Sequence, residues 1–192
     1  MQRLTSINPQ FAQGRTRELF DTVERAFGTV PNTVKVMANS PAVLDSFVAF
    51  GTAMGGARIG EKLHNQVKLT TSEANSCDYC TSILCAIGPN AGLTTEDILV
   101  GRTGSSADHR TEAALQFAQA VLDNRGKVTD AQLAAAQAAG FDDGEIVEIV
   151  ASVVLGCFTN FLNNVADTEL DIPRAEPVPA HASCSSGACA VH

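Results

Sequence analysis

Tryptophan is absent from this 192-residue sequence, tyrosine occurs once, and aromatic residues make up only 5% of the chain. Sheet cores are usually rich in aromatic and β-branched side chains. Their scarcity, together with the many alanines and leucines, therefore favours closely packed helices. The sequence contains no internal repeat and no segment with the alternating pattern of a strand. We predict an all-α protein.

Positive charge is also scarce, because 13 Lys and Arg residues stand against 21 Asp and Glu residues and give a formal net charge of −8. Nucleic-acid binding needs clustered basic residues that displace counterions, and an anionic membrane surface would repel this chain. No stretch approaches the roughly 20 apolar residues of a membrane span. Residues 1–10 lack the apolar region of a signal peptide. We expect no nucleic-acid or membrane partner and a cytoplasmic location.

Capping residues and glycines predict a series of helices. Ser40 before Pro41 begins one of them, and Thr94 with Asp97 forms a capping box that begins another. The predicted helices span residues 16–27, 41–55, 61–73, 77–88, 94–100, 108–123, 129–140 and 142–165; residues 29–32 are predicted as a turn and 101–106 as a loop. We expect Asn75-Ser76 to cap the helix that begins near Cys77.

The composition changes near Pro173 and divides the chain into two parts. Residues 1–172 contain the predicted helices and form one helical domain. Residues 173–192 hold three prolines, no aromatic residue and two cysteines, and this predicts a flexible tail. The last predicted helix, 142–165, is apolar around most of its circumference. We therefore expect it at the centre of the fold or against a partner subunit.

The strongest local motif is the pair in Cys77-Asp-Tyr-Cys80. At a helix start, residues three apart lie within disulfide reach. The first-turn amides and the helix dipole there lower a thiol pKa from about 8.5 towards neutrality. Because only a thiolate attacks a peroxide or a disulfide, this placement suits redox chemistry. The alternatives are two buried structural thiols, or half of a zinc site with no second ligand pair nearby.

The surrounding sequence resembles a known family. Residues 72–80, followed by a helix and by residues 91–98, resemble the core motif of the alkyl hydroperoxidase D-like (AhpD-like, carboxymuconolactone decarboxylase) family. Residues 30–32 with 37–44 resemble its N-terminal region, and residues 157–169 resemble its last core helix. The resemblance implies an all-α homo-oligomer, usually a trimer or hexamer. It further implies that Cys77 and Cys80 are catalytic and reduce a small peroxide, and that a dithiol reductant then recycles them. We expect no cofactor.

The chain departs from the family pattern at the proton relay. The pattern has a glutamate twelve residues before the first cysteine and a histidine four residues after the second. These positions are Asn65 and Leu84 here, and a further histidine of many relatives is replaced by Asn164. Leu84 shares a predicted helix face with the cysteines, but it cannot transfer a proton. We expect the usual acid–base catalysis to be missing.

The remaining cysteines have open roles. Cys85 and Cys157 fit small core positions, although Cys85 is also a possible accessory redox residue. Cys184 and Cys189 lie in the predicted tail, where the eleven residues after Pro173 can span up to about 36 Å. They are possible accessory redox residues. Alternatively, they join Cys77 and Cys80 as ligands of a soft metal or metalloid.

The motifs support a thiol-dependent oxidoreductase that reduces a hydroperoxide or disulfide substrate. The main alternative is a protein that binds a soft metal or metalloid through thiolates. Lactone decarboxylation is disfavoured, because that branch of the family generally lacks the cysteine pair and uses acid–base residues not found here. A non-catalytic structural role is a further alternative. For His64, we expect a surface or capping position.

Overall fold

The computed structural model describes residues 1–178, which form helices joined by short loops, with no strand among them. The α-helices in this range are α1 (Gly14–Phe27), α2 (Asn32–Met37), α3 (Pro41–Met54), α4 (Gly60–Ala74), α5 (Asp78–Ile87), α6 (Thr95–Thr103), α7 (His109–Asp123), α8 (Asp130–Ala138) and α9 (Asp143–Ala166). Single 3-10 turns occur at Pro9–Phe11 and Gly88–Ala91. The predicted all-α fold is confirmed for this part of the chain.

Helix α4 lies at the centre and packs against α5, α6, α7 and α9. Apolar residues of α4, α7, α8 and α9 form the largest core cluster, which includes the fully buried Val67, Leu115 and Ile149. A second cluster joins α1, α2 and α3 around Phe20 and Leu44. Each such side chain stabilises the fold by about 1.5–3 kcal/mol when fully buried. The first cluster includes the core residues of α4, whereas the second packs against α9 through Leu162.

Two helix crossings are close because each has a glycine at the contact. A Cβ on Gly156 of α9 would lie 2.9 Å from Cγ2 of Thr71 in α4. A Cβ on Gly101 of α6 would lie 3.0 Å from the Cα of Gln66 in α4. Larger side chains there would push the helices apart in a closely packed interior. Glycine therefore sets how closely α6 and α9 approach α4.

Helix α9 has 24 residues and is long and apolar enough to cross a membrane by length and composition. The expectation that no segment approaches such a span is therefore wrong by these two criteria. In this fold the inner face of α9 packs against α4 and includes buried polar residues, namely Ser152, Asn160 and Asn163. Its outer face exposes large apolar side chains, namely Val147, Val154, Phe158, Phe161 and Val165.

Three local predictions are corrected by the structure. Residues after Pro31 form the short helix α2 and do not remain a turn, because Val34 and Met37 bury their side chains in the second core cluster. Helix α6 continues to Thr103, into the predicted loop, and ends at Gly104 in the left-handed conformation. Helix α5 is capped by Cys77 itself, whereas Asn75 caps the end of α4.

Candidate functional site

The cysteine pair lies where the chain reverses from α4 into α5. Ser76 adopts a left-handed conformation with φ of 50°, and the Cys77 backbone N–H donates to the Ser72 carbonyl at 2.9 Å. Cys77 is then the N-cap of α5, and its Sγ accepts from the Cys80 backbone N–H at 3.3 Å. The two residues form a disulfide with their Cα atoms 5.3 Å apart. The predicted pair is thus brought together at the start of a helix.

Both sulfur-bearing residues are buried, since Cys77 is 1% and Cys80 is 3% exposed. They share an apolar cluster with Tyr79, Ile83 and Leu170. A buried disulfide in such surroundings reacts with a reductant only when the covering groups move aside. Access to the sulfurs therefore depends on the segments that cover them.

One side chain of α9 contacts the sulfur of the pair directly. The amide Nδ2 of Asn163 donates to Cys80 Sγ at 3.2 Å, while Asn163 Oδ1 is buried and has no hydrogen-bond partner within residues 1–178. No carboxylate or imidazole in the described part of the chain forms a hydrogen bond with either sulfur of the pair. The polar group beside Cys80 can orient a thiolate, but it cannot exchange a proton at neutral pH.

Further amides extend this polar group along α9. Asn75 Nδ2 donates to Asn160 Oδ1 at 3.0 Å and contacts Cys157 Sγ at 3.5 Å. Asn160 Nδ2 in turn donates to Ser72 Oγ at 3.1 Å. These bonds connect the α4–α5 reversal to α9, and this fixes the position of Asn163 relative to Cys80.

A segment after α9, residues 168–176, crosses the cysteine-bearing helix, and we call it the strap. Asp171 accepts hydrogen bonds from the Tyr79 hydroxyl at 2.8 Å and from the Asn32 backbone N–H at 2.7 Å. The Tyr79 oxygen also accepts from the Thr33 backbone N–H at 3.2 Å. Burial is the main cause that raises the pKa of Tyr79, so its hydroxyl stays protonated and donates to Asp171.

The far end of the strap is attached to α5 and α6. Arg174 forms an ion pair with Asp78, next to Cys77. The Ala175 backbone N–H donates to Ser82 Oγ at 2.9 Å, and Arg102 donates to the Glu176 carbonyl at 2.7 Å. The first residues of the predicted tail are thus hydrogen-bonded to the helical body.

The other cysteines lie apart from the pair. Cys85 packs with Leu69 and Leu84, and Cys157 faces the Asn75 amide; neither is in a disulfide with another described residue. Burial raises the pKa of both thiols. Both are therefore poor nucleophiles at neutral pH. Cys184 and Cys189 lie outside the described residues.

The three relay positions are scattered. Leu84 is buried in an apolar cluster with Leu69 and Leu93. Asn65 donates to the Glu61 carbonyl at 2.9 Å and lines a cavity, whereas Asn164 is exposed and donates to the Asn75 carbonyl at 2.9 Å. None of the three forms a hydrogen bond with a sulfur of the pair within the described range.

The structure corrects the predicted position of His64 and adds Asn163, which was not predicted, to the site. His64 is 6% exposed, so the expected surface or capping position is wrong. Its Nδ1 lies 2.8 Å from Oγ of the buried Ser152 and is hydrogen-bonded to it. Asn163 was missed, although polar residues on the inner face of an apolar helix signal buried hydrogen bonds.

Within residues 1–178 no three His, Cys, Asp or Glu side chains are arranged to hold a metal ion.

Comparison with solved structures shows the fold shared by this chain. A protein from Ralstonia eutropha JMP134, described as an alkylhydroperoxidase AhpD core and an uncharacterized peroxidase-related protein, is 25% identical with a TM-score of 0.72. It is matched over 88% of this chain and 92% of its own. An uncharacterized peroxidase-related protein from Silicibacter sp. TM1040 is 19% identical over 86% and 91% of the two chains, with a TM-score of 0.74.

A third similar structure is a cysteine-to-alanine variant of the debrominase Bmp8 in complex with 2,3,4-tribromopyrrole. It is 19% identical over 88% of this chain and 91% of its own, with a TM-score of 0.76. No protein-family model matches the sequence, and no curated protein does.

Proposed function

We propose that this chain, as a member of the AhpD-like family, is a thiol-dependent oxidoreductase. It reduces a hydroperoxide or a disulfide with Cys77 and Cys80. The observation that carries the proposal is their disulfide at the start of α5. The similar structures are named for peroxidase-related and debrominase proteins, and a dithiol site of this kind fits those reductive chemistries. Asn65, Leu84 and Asn164 make it a family member without the usual proton relay.

The proposed reaction is a two-electron cycle. A thiolate of the pair attacks the O–O bond of the hydroperoxide, an alcohol leaves with a proton from solvent, and the sulfur becomes a sulfenic acid. The second thiol attacks that sulfur, so the disulfide forms and water leaves. A dithiol reductant then restores both thiols by exchange and becomes a disulfide itself. A disulfide substrate would run the same exchange in the other direction.

The local geometry supports the thiolate in this cycle. The helix start and the Cys80 N–H favour negative charge on Cys77 Sγ. The amide of Asn163 favours it on Cys80 Sγ. Because no carboxylate or imidazole of the described residues forms a hydrogen bond with either sulfur, protons must come from solvent, and turnover should be slow compared with relatives that keep the relay.

The outer face of α9 motivates the proposed quaternary state. Phe158, Phe161 and Val165 remain exposed on it, and such an apolar surface usually marks an interface. We therefore infer that the protein is a homo-oligomer, a trimer or hexamer as is usual for the family. We further propose that it is located in the cytoplasm. Light scattering that gives the 20.1 kDa of one chain at micromolar concentration would contradict this.

Peptide mapping after oxidation tests the function. The full chain is reduced, treated with one equivalent of tert-butyl hydroperoxide, alkylated and mapped by mass spectrometry. We expect the Cys77–Cys80 bridge and stoichiometric alcohol. The variants Cys77→Ser and Cys80→Ser should abolish dithiothreitol-driven turnover, whereas Cys85→Ser, the matched control, should keep it.

Two results would overturn the proposal. One is that Cys77 and Cys80 remain free while Cys184 and Cys189 are oxidised, which would place the redox chemistry in the tail. The other is that peroxide leaves every thiol free while added Cu(I) binds stoichiometrically and is lost in Cys77→Ser. That result would favour the soft-metal alternative through Cys77, Cys80, Cys184 and Cys189.

A further inference from the structure

A cavity of about 410 Å³ lies between α1, α3 and α4, away from the cysteine pair. Its walls are mainly apolar and include Phe27 of α1, Phe47 of α3 and Leu155 of α9. No cysteine among residues 1–178 lines it. A concave, largely apolar site with a few polar groups is the usual form of a small-molecule site, and the ionisable groups here all come from α4.

The polar side of the cavity is one face of α4. Glu61, His64, Asn65 and Lys68 line it, and their spacing of three, four and seven residues places them on the same side of a helix. Since most of the remaining lining is apolar, with Thr22, Thr52 and Asn90 as its other polar residues, an occupant would meet charged groups on one side only. The cavity therefore suits an amphipathic molecule.

The hydrogen bonds of His64 determine its tautomer. The Ser152 hydroxyl donates its single hydrogen to the Glu148 carbonyl at 2.7 Å, so at 2.8 Å it must accept from the Nδ1–H of His64. Burial is the main cause that lowers the pKa of His64 to about 3, and Lys68 contributes. The ring is therefore neutral at pH 7, with Nε2 as an acceptor.

Lys68 supplies the positive charge of the cavity. Within residues 1–178 its ammonium forms no ion pair and no hydrogen bond. Burial lowers its pKa to about 8, and Glu61 opposes that change. An ammonium that has lost part of its water without gaining a partner favours binding of an anion.

We propose that this cavity binds a small monocarboxylate with an apolar body. The carboxylate pairs with Lys68 Nζ, and the body packs against Phe27, Phe47 and Leu155. The Glu61 carboxylate on the same face of α4 offsets part of the positive charge of Lys68, so a second negative charge on the ligand, as in phosphate, is disfavoured. The neutral His64 adds no positive charge and offers Nε2 to a donor on the ligand. The site is independent of the cysteine chemistry.

Calorimetry with the full chain at pH 7 tests the site, with 3-phenylpropionate as the probe and its neutral amide as the comparison. We expect the carboxylate to bind at least about tenfold more tightly than the amide, because a charge-assisted hydrogen bond contributes about 1.5–3 kcal/mol. Lys68→Met should remove that preference. Lys127→Met, at an exposed lysine outside the cavity, is the matched control.

A second variant keeps Lys68 and fills the cavity. Gly51 lines it from α3, and a Cβ there would meet no atom within 4 Å. Gly51→Leu should therefore fold, since leucine also favours helix over glycine, and should weaken binding of the probe.

The proposal is overturned if 3-phenylpropionate does not bind at millimolar concentration, or if its amide binds equally well. Equal binding by Lys68→Met and Lys127→Met, or unchanged binding by Gly51→Leu, would also overturn it. Peroxide-driven formation of the Cys77–Cys80 disulfide should be unchanged in Lys68→Met and Gly51→Leu. Failure of this site is thereby distinguished from failure of the proposed redox function.

Discussion

The cysteine end of the molecule and the cavity beside α4 differ in the polar groups they hold. The side chain that hydrogen-bonds a sulfur of the pair is the Asn163 amide, and further amides and hydroxyls extend from it along α9. The cavity holds an imidazole, an ammonium and a carboxylate, from His64, Lys68 and Glu61, but no thiol of residues 1–178. Among the described residues, the cysteine pair and these titratable groups of α4 thus occupy separate sites.

The relay positions are part of this difference. The family pattern would place a glutamate at position 65 and a histidine at position 84, two acid–base groups that this chain lacks at those positions. In this chain position 65 lines the cavity and position 84 is apolar. The titratable residues of α4 instead include Lys68 and His64, whose pKa values are lowered mainly by burial. This chain therefore keeps the cysteine pair, while the titratable residues of α4 line the separate cavity.

Restoring the relay should have the largest effect. In the variant Leu84→His, an imidazole follows Cys80 by one helical turn. General acid–base catalysis is typically worth about 10²–10⁴-fold, so we expect peroxide turnover to rise by about 10²-fold in steady-state assays with dithiothreitol. Circular dichroism checks the fold, because Leu84 is buried. No gain in a folded variant would refute the account of the missing relay.

Removing the amide beside the sulfur should have the next largest effect. Asn163→Ala deletes the donor to Cys80 Sγ, and a hydrogen bond to a charged group contributes about 1.5–3 kcal/mol. We expect disulfide formation and thiol alkylation to slow about tenfold in stopped-flow measurements. Asn124→Ala, which removes only a bond from Asn124 to the Ala120 carbonyl, is the control. Equal rates in the two variants would show that Asn163 is merely structural.

Loosening the strap should have a several-fold effect on access to the disulfide. Asp171→Ala removes the acceptor of two hydrogen bonds, worth about 1 kcal/mol each. The disulfide should then be reduced several times faster by dithiothreitol. Glu176→Ala is the control, because that residue contributes only its backbone carbonyl. If both variants were reduced at the wild-type rate, the strap would not control access.

The smallest effect, confined to stability, should come from Lys68→Met. The pKa of Lys68 in the folded chain is about 8 against 10.5 for a free lysine, so between these pH values the unfolded chain binds more protons. The contribution of Lys68 to the free energy of unfolding therefore rises as the pH increases from 8 to 10.5. Below pH 8 the charged Lys68 destabilises the folded chain. We expect the variant to gain about 1 kcal/mol at pH 7 and to lose this slope in urea titrations. An unchanged slope would contradict the assignment.

Local sequence signals predicted most helix starts correctly. The capping box at Thr94 and the Ser40 cap occur in the structure as expected. Such signals work because a cap satisfies backbone N–H groups within four residues of itself. The short helix α2 escaped prediction because its six residues are stabilised by contacts with α1 and α3, which no local pattern reveals.

The cysteine site was predictable in part for the same reason. Cys77 and Cys80 are three residues apart, so a helix start alone brings them together. Asn163 lies 83 residues after Cys80 in the chain. Its contact depends on how α9 crosses α4, where Gly156 meets Thr71.

The sequence by itself determined the all-α architecture of the described residues, most helix boundaries and the cysteine pair, because these follow from interactions within one or two helical turns. Only the tertiary structure decided that His64 is buried against Ser152, that the strap covers the disulfide, and that α4 directs its acid–base residues into a cavity. Each of these depends on the packing of helices distant in sequence, and burial through that packing sets which polar groups meet and which lose their water.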